Sequence, residues 1–248
     1  MKNLKNKVVI ITGASSGIGK ANALYLAENG VKVVLGDVRE DRLQTVVDEI
    51  KRGDGEVSSQ VADVTKRNQV ETLVAKGMDS FGRIDVIINC AGVMPQSYLC
   101  ENNYDEWERG IDTNIKGVLY GIGAVLPIMH KQESGHIINI SSIGAHNVIP
   151  GGAVYSATKY AVKAITEGLR KEEAENNKNI RVTSISPGSI DTEFTHSIAD
   201  PEIRAKFDEL SENAIEPESV ARLIAFAINE EEHVALNEVI IRPTEQIL

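Results

Sequence analysis

Short runs of β-branched residues alternate along the chain with longer segments that carry apolar residues at helical spacing. The runs Val-Val-Ile-Ile and Val-Ile-Ile-Asn are continuously apolar, which is typical of strands covered on both faces. The pattern therefore predicts a parallel sheet between two helical layers. The predicted strands are Val8–Thr12, Val31–Leu35, Val57–Val61, Ile84–Asn89, Ile137–Ile140, Ile180–Ile185 and Val239–Arg242.

The segments between these strands have the length of crossover helices. The predicted helices are Lys20–Asn29, Asp41–Lys51, Asn68–Ser80, Gly117–Met129, Tyr155–Glu175 and Glu218–Asn229. No repeat or long linker divides the chain. We predict an α/β protein with one domain over residues 1–248, a doubly wound Rossmann fold with a seven-stranded parallel sheet and helices on both faces. Its cofactor half would cover about residues 1–140, and its catalytic and substrate-loop half about residues 141–248.

Composition narrows the classes of partner. The 248 residues are 42% hydrophobic and 25% charged, with a net charge of −10, which is typical of a globular protein with an acidic surface. Such a surface repels nucleic acids and anionic membranes, so neither is expected as a partner. Cys90 and Cys100 lack CxxC spacing and nearby histidines, so we expect neither a redox motif nor a metal site. The apolar run Val8–Ile11 is too short for a signal sequence, and the expected location is the cytoplasm.

A glycine-rich turn follows the first predicted strand. It reads Thr-Gly-Ala-Ser-Ser-Gly-Ile-Gly over Thr12–Gly19, with GxxxGxG spacing instead of the GxGxxG of the better-known dinucleotide motif. Glycines let the backbone approach a pyrophosphate, and serines offer donors at a helix N-terminus that favours anions. The predicted phosphate contacts are Gly13, Ser15, Ser16, Gly17 and Gly19. The alternative is a purely structural strand-to-helix turn.

Asp37 lies at the end of the second predicted strand, where the Rossmann pattern places a carboxylate on the adenosine ribose. A carboxylate there would accept from both ribose hydroxyls and repel a 2′-phosphate. Ser16 stands where a basic residue could have met that phosphate, so NAD is favoured over NADP. Arg39 could attract the phosphate, which leaves NADP open. Asp37 could instead be a turn or helix-capping residue.

Three polar side chains are expected to meet in the other half of the chain. Tyr155 and Lys159 are four positions apart near a predicted helix start, so they share one face, and Ser142 follows the fifth predicted strand. An ammonium beside Tyr155 would stabilise its phenolate and lower its pKa, and the Ser142 hydroxyl could hold a substrate oxygen. This combination favours proton transfer coupled to hydride transfer at a carbonyl or alcohol. The alternative for the Tyr155–Lys159 pair is a solvated helix face.

Taken in order, these features resemble the short-chain dehydrogenase/reductase family over essentially the full length. The matching positions are Thr12–Gly19, Asp37, Asn89–Gly92, Asn114, Ser142, Tyr155–Lys159 and Pro187–Gly188. The resemblance implies that Tyr155 is the acid/base, that Lys159 lowers its pKa and holds the nicotinamide ribose, and that Ser142 orients the substrate oxygen. It also implies that Asn114 anchors a water in a proton relay. Cys90 replaces the second asparagine usual in the family and is interpreted as a small buried apolar residue.

The resemblance further implies a set of cofactor contacts, with Asp63 and Val64 near adenine and Thr192 near the nicotinamide carboxamide. These implied contacts are Gly13, Ser15, Ile18, Asp37, Asp63, Val64, Asn89, Ala91, Gly92, Pro187, Gly188 and Thr192. Within the family, the stretches Gly152–Tyr155, Asp191–Thr195 and Asn237–Pro243 look like the branch of hydroxy-acid, serine and clavulanate-aldehyde dehydrogenases. A homo-oligomer, a tetramer or a dimer, is also implied.

The leading hypothesis is thus an NAD-dependent enzyme that interconverts a secondary alcohol and its carbonyl on a small or medium metabolite. One alternative is an NADP-dependent hydroxy-acid or aldehyde reductase, and another is a non-catalytic dinucleotide-binding regulatory protein. Substrate contacts are expected from Val93–Met94, Ile143–Gly152 and Ser189–Asn213, the last as an amphipathic lid with Phe194, Ile198 and Phe207. His146 and His196 could contact substrate, but a solvated position is the alternative for both, and Tyr104 and Trp107 are interpreted as packing residues.

Overall fold

The computed structural model describes residues 1–198, 200–210 and 213–247, without the side chains of residues 196, 197 and 206–210. Within these ranges the strands are β1 Val8–Thr12, β2 Lys32–Asp37, β3 Val57–Val61, β4 Val86–Asn89, β5 Gly135–Ile140, β6 Ile180–Pro187 and β7 Glu238–Ile241. The α-helices are α1 Gly17–Glu28, α2 Glu40–Arg52, α3 Arg67–Phe81, α4 Tyr104–Ile111, α5 Gly117–Gln132, α6 Ala153–Asn176, α7 Pro201–Leu210 and α8 Pro217–Asn229.

All strand pairs in the described sheet are parallel, in the order β3-β2-β1-β4-β5-β6-β7. The order reverses between β1 and β4, which is the topological switch point where doubly wound folds bind ligands. In the register, Ile10 pairs with Val34 of β2 and with Ile87 of β4. The predicted fold, a single Rossmann-type domain with seven parallel strands, is confirmed.

The core consists of two layers because both faces of the central strands are covered. On one face, Val9 and Ile11 of β1 pack with Leu26 of α1 and with residues of α2 and α8. On the other face, Val8 and Ile10 pack with residues of α3, α5 and α6. Every residue of β1 is buried, which explains why this strand shows no alternation between apolar and polar positions.

The structure differs from the sequence prediction between the fourth and fifth strands. Helix α4, Tyr104–Ile111, was not among the predicted helices, and it carries Tyr104 and Trp107, whose rings meet edge to face at 5.0 Å. A π-helical turn, Asp112–Lys116, joins α4 to α5, and Asn114 lies in this turn. Within the described ranges, no helix is long and apolar enough to cross a membrane.

Candidate active site

A cleft of about 1200 Å³ opens at the carboxyl edge of the sheet, above the switch point. It is large enough for a dinucleotide and a small substrate, because sites for drug-sized ligands occupy roughly 300–1000 Å³. The predicted site residues that line it are Gly13, Ser16, Gly17, Ile18, Gly19, Asp37, Arg39, Asp63, Val64, Ala91, Gly92, Ser142, Tyr155, Lys159, Pro187, Gly188 and Thr192. Three further predicted residues, Ser15, Asn89 and Asn114, are buried and do not line it.

The glycine-rich turn is held tightly against the loop after β4. Gly13 has a positive φ of 68°, and a Cβ there would lie 2.8 Å from Cα of Ala91. A Cβ on Gly19 would lie 2.1 Å from the carbonyl oxygen of Gly13 itself. The first turn of α1 also contains no acidic side chain, so the positive end of its helix dipole carries no anion of its own. This bare backbone cradle fits the pyrophosphate of a dinucleotide.

Asp37 is buried at the end of β2 with both carboxylate oxygens engaged. Oδ2 accepts from the backbone N–H of Ser15 at 3.1 Å, and Oδ1 accepts from the backbone N–H of Arg39 at 3.0 Å and from its Nε at 3.2 Å. Burial by itself raises the pKa of the Asp37 carboxyl, but the hydrogen bonds from Arg39 and Ser15 outweigh burial and hold this pKa below its usual value. Asp37 is therefore an anion next to the glycine-rich turn.

Arg39 is anchored beside Asp37 by two further acceptors. Its guanidinium donates to Ser16 Oγ at 2.7 Å and to Glu193 Oε1 at 2.8 Å. Arg42 donates to the same oxygen of Glu193. Sequence reasoning did not find Glu193, because it is 154 positions from Arg39 and no local pattern marks it.

Ser142, Tyr155 and Lys159 converge in the other half of the cleft. Ser142 Oγ accepts from the backbone N–H of Gly144 at 3.0 Å, and this hydroxyl also hydrogen-bonds with Tyr155. Lys159 Nζ donates to the carbonyl oxygen of Ile140 at 2.9 Å and lies 5.8 Å from the centroid of the Tyr155 ring. The hydroxyl, phenol and amine predicted to act together thus share one wall of the cleft.

The pKa of Tyr155 departs from the sequence expectation. Burial raises the pKa of Tyr155 to about 12, although the hydrogen bond with Ser142 acts in the opposite direction. Burial also lowers the pKa of Lys159 to about 8. The net pKa of Tyr155 is therefore raised and not lowered, because a low-dielectric surrounding disfavours the charged form of both groups. At neutral pH Tyr155 is a protonated phenol, the form that donates a proton.

Asn114 supports the cleft from behind. Its Nδ2 donates to the carbonyl oxygen of Val93 at 2.9 Å and to Thr158 Oγ1 at 3.0 Å, and its Oδ1 accepts from the backbone N–H of Val93 at 2.9 Å. The π-helical turn places this side chain between the loop after β4 and α6. These contacts support a bracing role, in which Asn114 ties the loop after β4 to the helix that carries Tyr155. The water that Asn114 is predicted to hold in a proton relay stays a prediction.

The fourth strand is braced by side chains that point away from the cleft. Asn89 Nδ2 donates to Asn139 Oδ1 at 2.8 Å, and a Cβ on Gly121 of α5 would lie 2.1 Å from Asn89 Oδ1. Thr12 Oγ1 accepts the backbone N–H groups of Cys90 and Ala91 at 3.1 and 3.2 Å. Burial raises the pKa of the Cys90 thiol to about 12, which fits the interpretation of a packing residue.

Two parts of the cleft were missed in the sequence. Gln96, which lines the cleft, is buried, and its Oε1 has no hydrogen-bond partner in the described part of the chain. The segment 243–247 after β7 also lines the cleft, where Gln246 accepts from the backbone N–H of Ser189 at 3.0 Å and donates to its hydroxyl at 3.2 Å. The position of the segment 243–247 could have been predicted from the sequence, because a segment that follows the last parallel strand begins at the same edge of the sheet.

Of the predicted substrate loops, Met94, Phe194 and Ile198 pack against Tyr155. Ile203 of α7 joins this cluster, so the predicted amphipathic segment lies beside the phenol. His146 does not line the cleft. Its Nε2 lies 3.2 Å from Ser186 Oγ and 3.3 Å from Glu238 Oε1. The side chains of His196 and Phe207 lie outside the described residues, and no group of three or more potential metal ligands occurs among those described.

Comparisons with known proteins agree with this geometry. The model of a family described as short chain dehydrogenase matches residues 7–203. An uncharacterized oxidoreductase of Staphylococcus saprophyticus is 56% identical over 248 residues, which cover 100% of both chains. A short-chain dehydrogenase/reductase of Burkholderia phymatum, solved in complex with NAD, is 27% identical with a TM-score of 0.90 and covers 97% of this chain and 90% of its own. The closed form of serine dehydrogenase, complexed with NADP⁺, is 31% identical with a TM-score of 0.86 and 94% coverage of both chains.

Proposed function

Because the chain belongs to the short-chain dehydrogenase family, an oxidoreductase family that acts on CH–OH groups with a nicotinamide cofactor, we propose that it uses NAD to interconvert a secondary alcohol and its carbonyl on a small or medium metabolite. The observation that carries this proposal is the convergence of Ser142, Tyr155 and Lys159 on one wall of a cleft whose other half is a bare glycine cradle. A hydrolase would need a nucleophile activated by an adjacent base, whereas the Ser142 hydroxyl lies beside Tyr155, a phenol that keeps its proton at neutral pH.

In the direction of reduction, Tyr155 acts as the acid. Its Oη donates a proton to the carbonyl oxygen of the substrate while the carbonyl carbon receives a hydride, so the product is a neutral alcohol. A nicotinamide dinucleotide held by the glycine-rich turn and Asp37 would supply this hydride and would accept one in the reverse reaction. Ser142 Oγ holds the same oxygen, and Lys159 lies where a positive charge stabilises the phenolate left behind. The raised pKa of Tyr155 keeps the proton in place until the substrate oxygen becomes basic.

The preference for NAD over NADP follows from the anion beside the turn. The lowered pKa of Asp37 means that a carboxylate faces the expected position of the adenosine ribose, where it would accept from hydroxyls and repel a 2′-phosphate. Arg39 supports the alternative, an NADP-dependent hydroxy-acid or aldehyde reductase, as does the serine dehydrogenase bound to NADP⁺. We favour NAD because the guanidinium of Arg39 is already occupied by three acceptors.

The substrate region is apolar with few polar groups. Met94, Ile149 and Phe194 line it together with Gln96, whose buried Oε1 has no partner in the described chain. A small or medium alcohol whose body is apolar fits these walls. A donor on the substrate would satisfy Gln96, since an unpaired buried acceptor costs about 1–3 kcal/mol.

We further propose a homo-oligomer in the cytoplasm, with no nucleic-acid or membrane partner. The support is the net charge of −10, the two cysteines without a disulfide, and the exposed apolar side chains on α5 and α6. A reducing compartment is consistent with free thiols.

Binding and turnover are tested separately. Fluorescence titration with NADH and with NADPH measures the two dissociation constants without knowledge of the substrate, and a panel of alcohols and carbonyls then measures turnover. We expect NADH to bind at least about tenfold more tightly, a difference of about 1.4 kcal/mol. Tyr155→Phe is expected to bind NADH as the parent does and to lose turnover by about a hundredfold or more.

Tyr160→Phe is the matched control, since Tyr160 lies on the same helix and is exposed. Tighter binding of NADPH would overturn the choice of NAD, and full turnover by the Tyr155→Phe variant would overturn the acid/base assignment. Dinucleotide binding without turnover of any alcohol or carbonyl would favour the non-catalytic dinucleotide-binding regulatory protein, and failure of both dinucleotides to bind would refute the cofactor site.

A further inference from the structure

Four charged side chains form an ion cluster between two segments that are distant in sequence. Asp37, Arg39 and Arg42 come from the β2–α2 region, whereas Glu193 comes from the segment after β6. Arg39 bridges the two carboxylates, with Nε 3.2 Å from Asp37 Oδ1 and Nη1 2.8 Å from Glu193 Oε1. Arg42 Nη1 contacts the same oxygen of Glu193. We call these four residues the ribose-side cluster.

The side chains of this cluster are held more firmly than those of an ordinary surface ion pair, which contributes little to stability. Asp37 is buried, and Arg39 has three acceptors, so the guanidinium is fixed in one orientation. The two carboxylates and two guanidinium groups sum to no net charge. Both cations beside the predicted ribose site are therefore neutralised within the protein.

We propose that Glu193 is a specificity-determining residue for the cofactor, because it withholds Arg39 and Arg42 from a 2′-phosphate. This inference rests on the proposed nicotinamide site, whose ribose is expected next to Asp37. Glu193 would touch neither the reacting atoms nor the ribose hydroxyls, and it would act through Arg39. Without the Glu193 carboxylate, the cluster carries a net positive charge and a free guanidinium edge, which is the geometry that binds phosphate in a bidentate manner.

The position of Glu193 also links cofactor choice to the catalytic wall. Its neighbour Thr192 lies against the glycine-rich turn, since a Cβ on Gly17 would be 3.1 Å from Thr192 Cγ2. On its other side, the ring of Phe194 meets the ring of Tyr155 edge to face at 6.3 Å. A 2′-phosphate that drew Arg39 away from Glu193 would thus remove an anchor of the segment that packs on Tyr155.

Calorimetric titrations test the proposal with binding as the readout. The ligands are NADH, NADPH and adenosine 2′,5′-bisphosphate, and the proteins are the parent, Glu193→Gln and Glu40→Gln. Glu40 is exposed in the first turn of α2, and none of the ion pairs of the ribose-side cluster involves its carboxylate. Glu40→Gln makes the same change in net charge as Glu193→Gln. We expect Glu193→Gln to bind NADPH and the bisphosphate about fivefold more tightly while its affinity for NADH changes less than about twofold. Glu40→Gln should leave all three affinities unchanged.

A double variant, Glu193→Gln with Arg39→Gln, should lose the gain, because Arg39 is the group that Glu193 occupies. An unchanged ratio of NADPH to NADH affinity in Glu193→Gln, or an equal change in Glu40→Gln, overturns the inference. Melting temperatures of the variants identify any loss of fold. If Glu193→Gln does not fold, the conservative Glu193→Asp variant is compared with the parent, and it should keep the parental ratio of NADPH to NADH affinity. A parent protein that binds neither dinucleotide would refute the proposed cofactor site itself, which is a different result from a normal parent with an unchanged variant.

Discussion

At the scale of single residues, the charge state of Tyr155 and Lys159 decides which chemistry the cleft can begin. Both groups are buried, and burial moves both toward the neutral form, with pKa values of about 12 for Tyr155 and about 8 for Lys159. Near neutral pH the phenol keeps its proton and the amine is still mostly charged. The pair is therefore prepared to donate a proton and to stabilise the resulting phenolate.

The shifted pKa of Lys159 has a measurable effect on stability. Its value in the folded state is about 8 against 10.5 for the ordinary side chain, so between these pH values the unfolded chain binds more protons than the folded one. The free energy of unfolding contributed by this group must then rise with pH across that window. Relative to Lys159→Met, the parent should gain about 2 kcal/mol between pH 8 and pH 9.5. Urea unfolding of both proteins at several pH values measures this difference.

Lys163→Met is the control, because Lys163 lies one turn further along α6, is partly exposed and pairs with Glu238 at 3.0 Å. The difference between the parent and this variant should stay nearly constant over the same range. A constant difference for Lys159→Met as well would mean that burial does not shift its pKa.

At the scale of elements, the cleft depends on how closely the β1–α1 turn approaches the loop after β4. Gly13 and Gly82 both have positive φ values, 68° and 75°, but their surroundings differ. A Cβ on Gly13 would lie 2.8 Å from backbone atoms of Ala91, whereas a Cβ on Gly82 has no neighbour within 4 Å. A comparison of substitutions at these two glycines therefore separates the cost of backbone strain from the cost of a steric clash.

We expect Gly82→Ala to lower the free energy of unfolding by about 1–2 kcal/mol through the positive φ alone. Gly13→Ala should lower it by at least about 3 kcal/mol, since Ala91 contributes backbone atoms that cannot rotate away, and it should also weaken dinucleotide binding. Chemical denaturation and NADH titration of both variants measure these effects. Equal losses of stability in the two variants would contradict the close approach of the turn to Ala91.

The elements also show how far sequence reasoning reached. Short β-branched runs located all the strands of the described sheet, and only their ends differ by one or two residues. The continuously apolar runs are central strands such as β1 and β4, which are buried on both faces, whereas the edge strand β3 is Val-Ser-Ser-Gln-Val and partly exposed. The turn around Asn114 was not foreseen, because its i→i+5 geometry depends on contacts with Val93 and Thr158 that no local pattern encodes. The pairing of Arg39 with Glu193 was missed for the same reason. The pKa of Tyr155 was misjudged, since proximity to Lys159 was inferred from spacing while the cost of burial was not.

At the scale of the whole molecule, one helical layer leaves apolar side chains and small residues facing solvent. Leu119 of α5 and Tyr160 of α6 are 45% and 43% exposed, and neither Gly123 nor Gly168 would bring a Cβ within 4 Å of any described atom. His130 of α5 and Glu173 of α6 are joined at 2.8 Å, so the two helices present a common surface. Contiguous exposed apolar surface marks sites of association, so this pair of helices is the candidate interface.

We therefore expect self-association through α5 and α6, with a mass of two or four times 27.0 kDa by sedimentation equilibrium. Leu119→Arg combined with Tyr160→Arg places two like charges on each copy of a self-complementary surface, so they would face their counterparts across a two-fold interface and favour smaller species. Val61→Arg, on the edge strand β3 and 39% exposed, adds a charge elsewhere and should leave the mass unchanged. A parent that sediments as a monomer, or a double variant with the parental mass, would contradict association through these helices. Because association stabilises the folded state, the dissociated double variant should have a lower melting temperature than the parent.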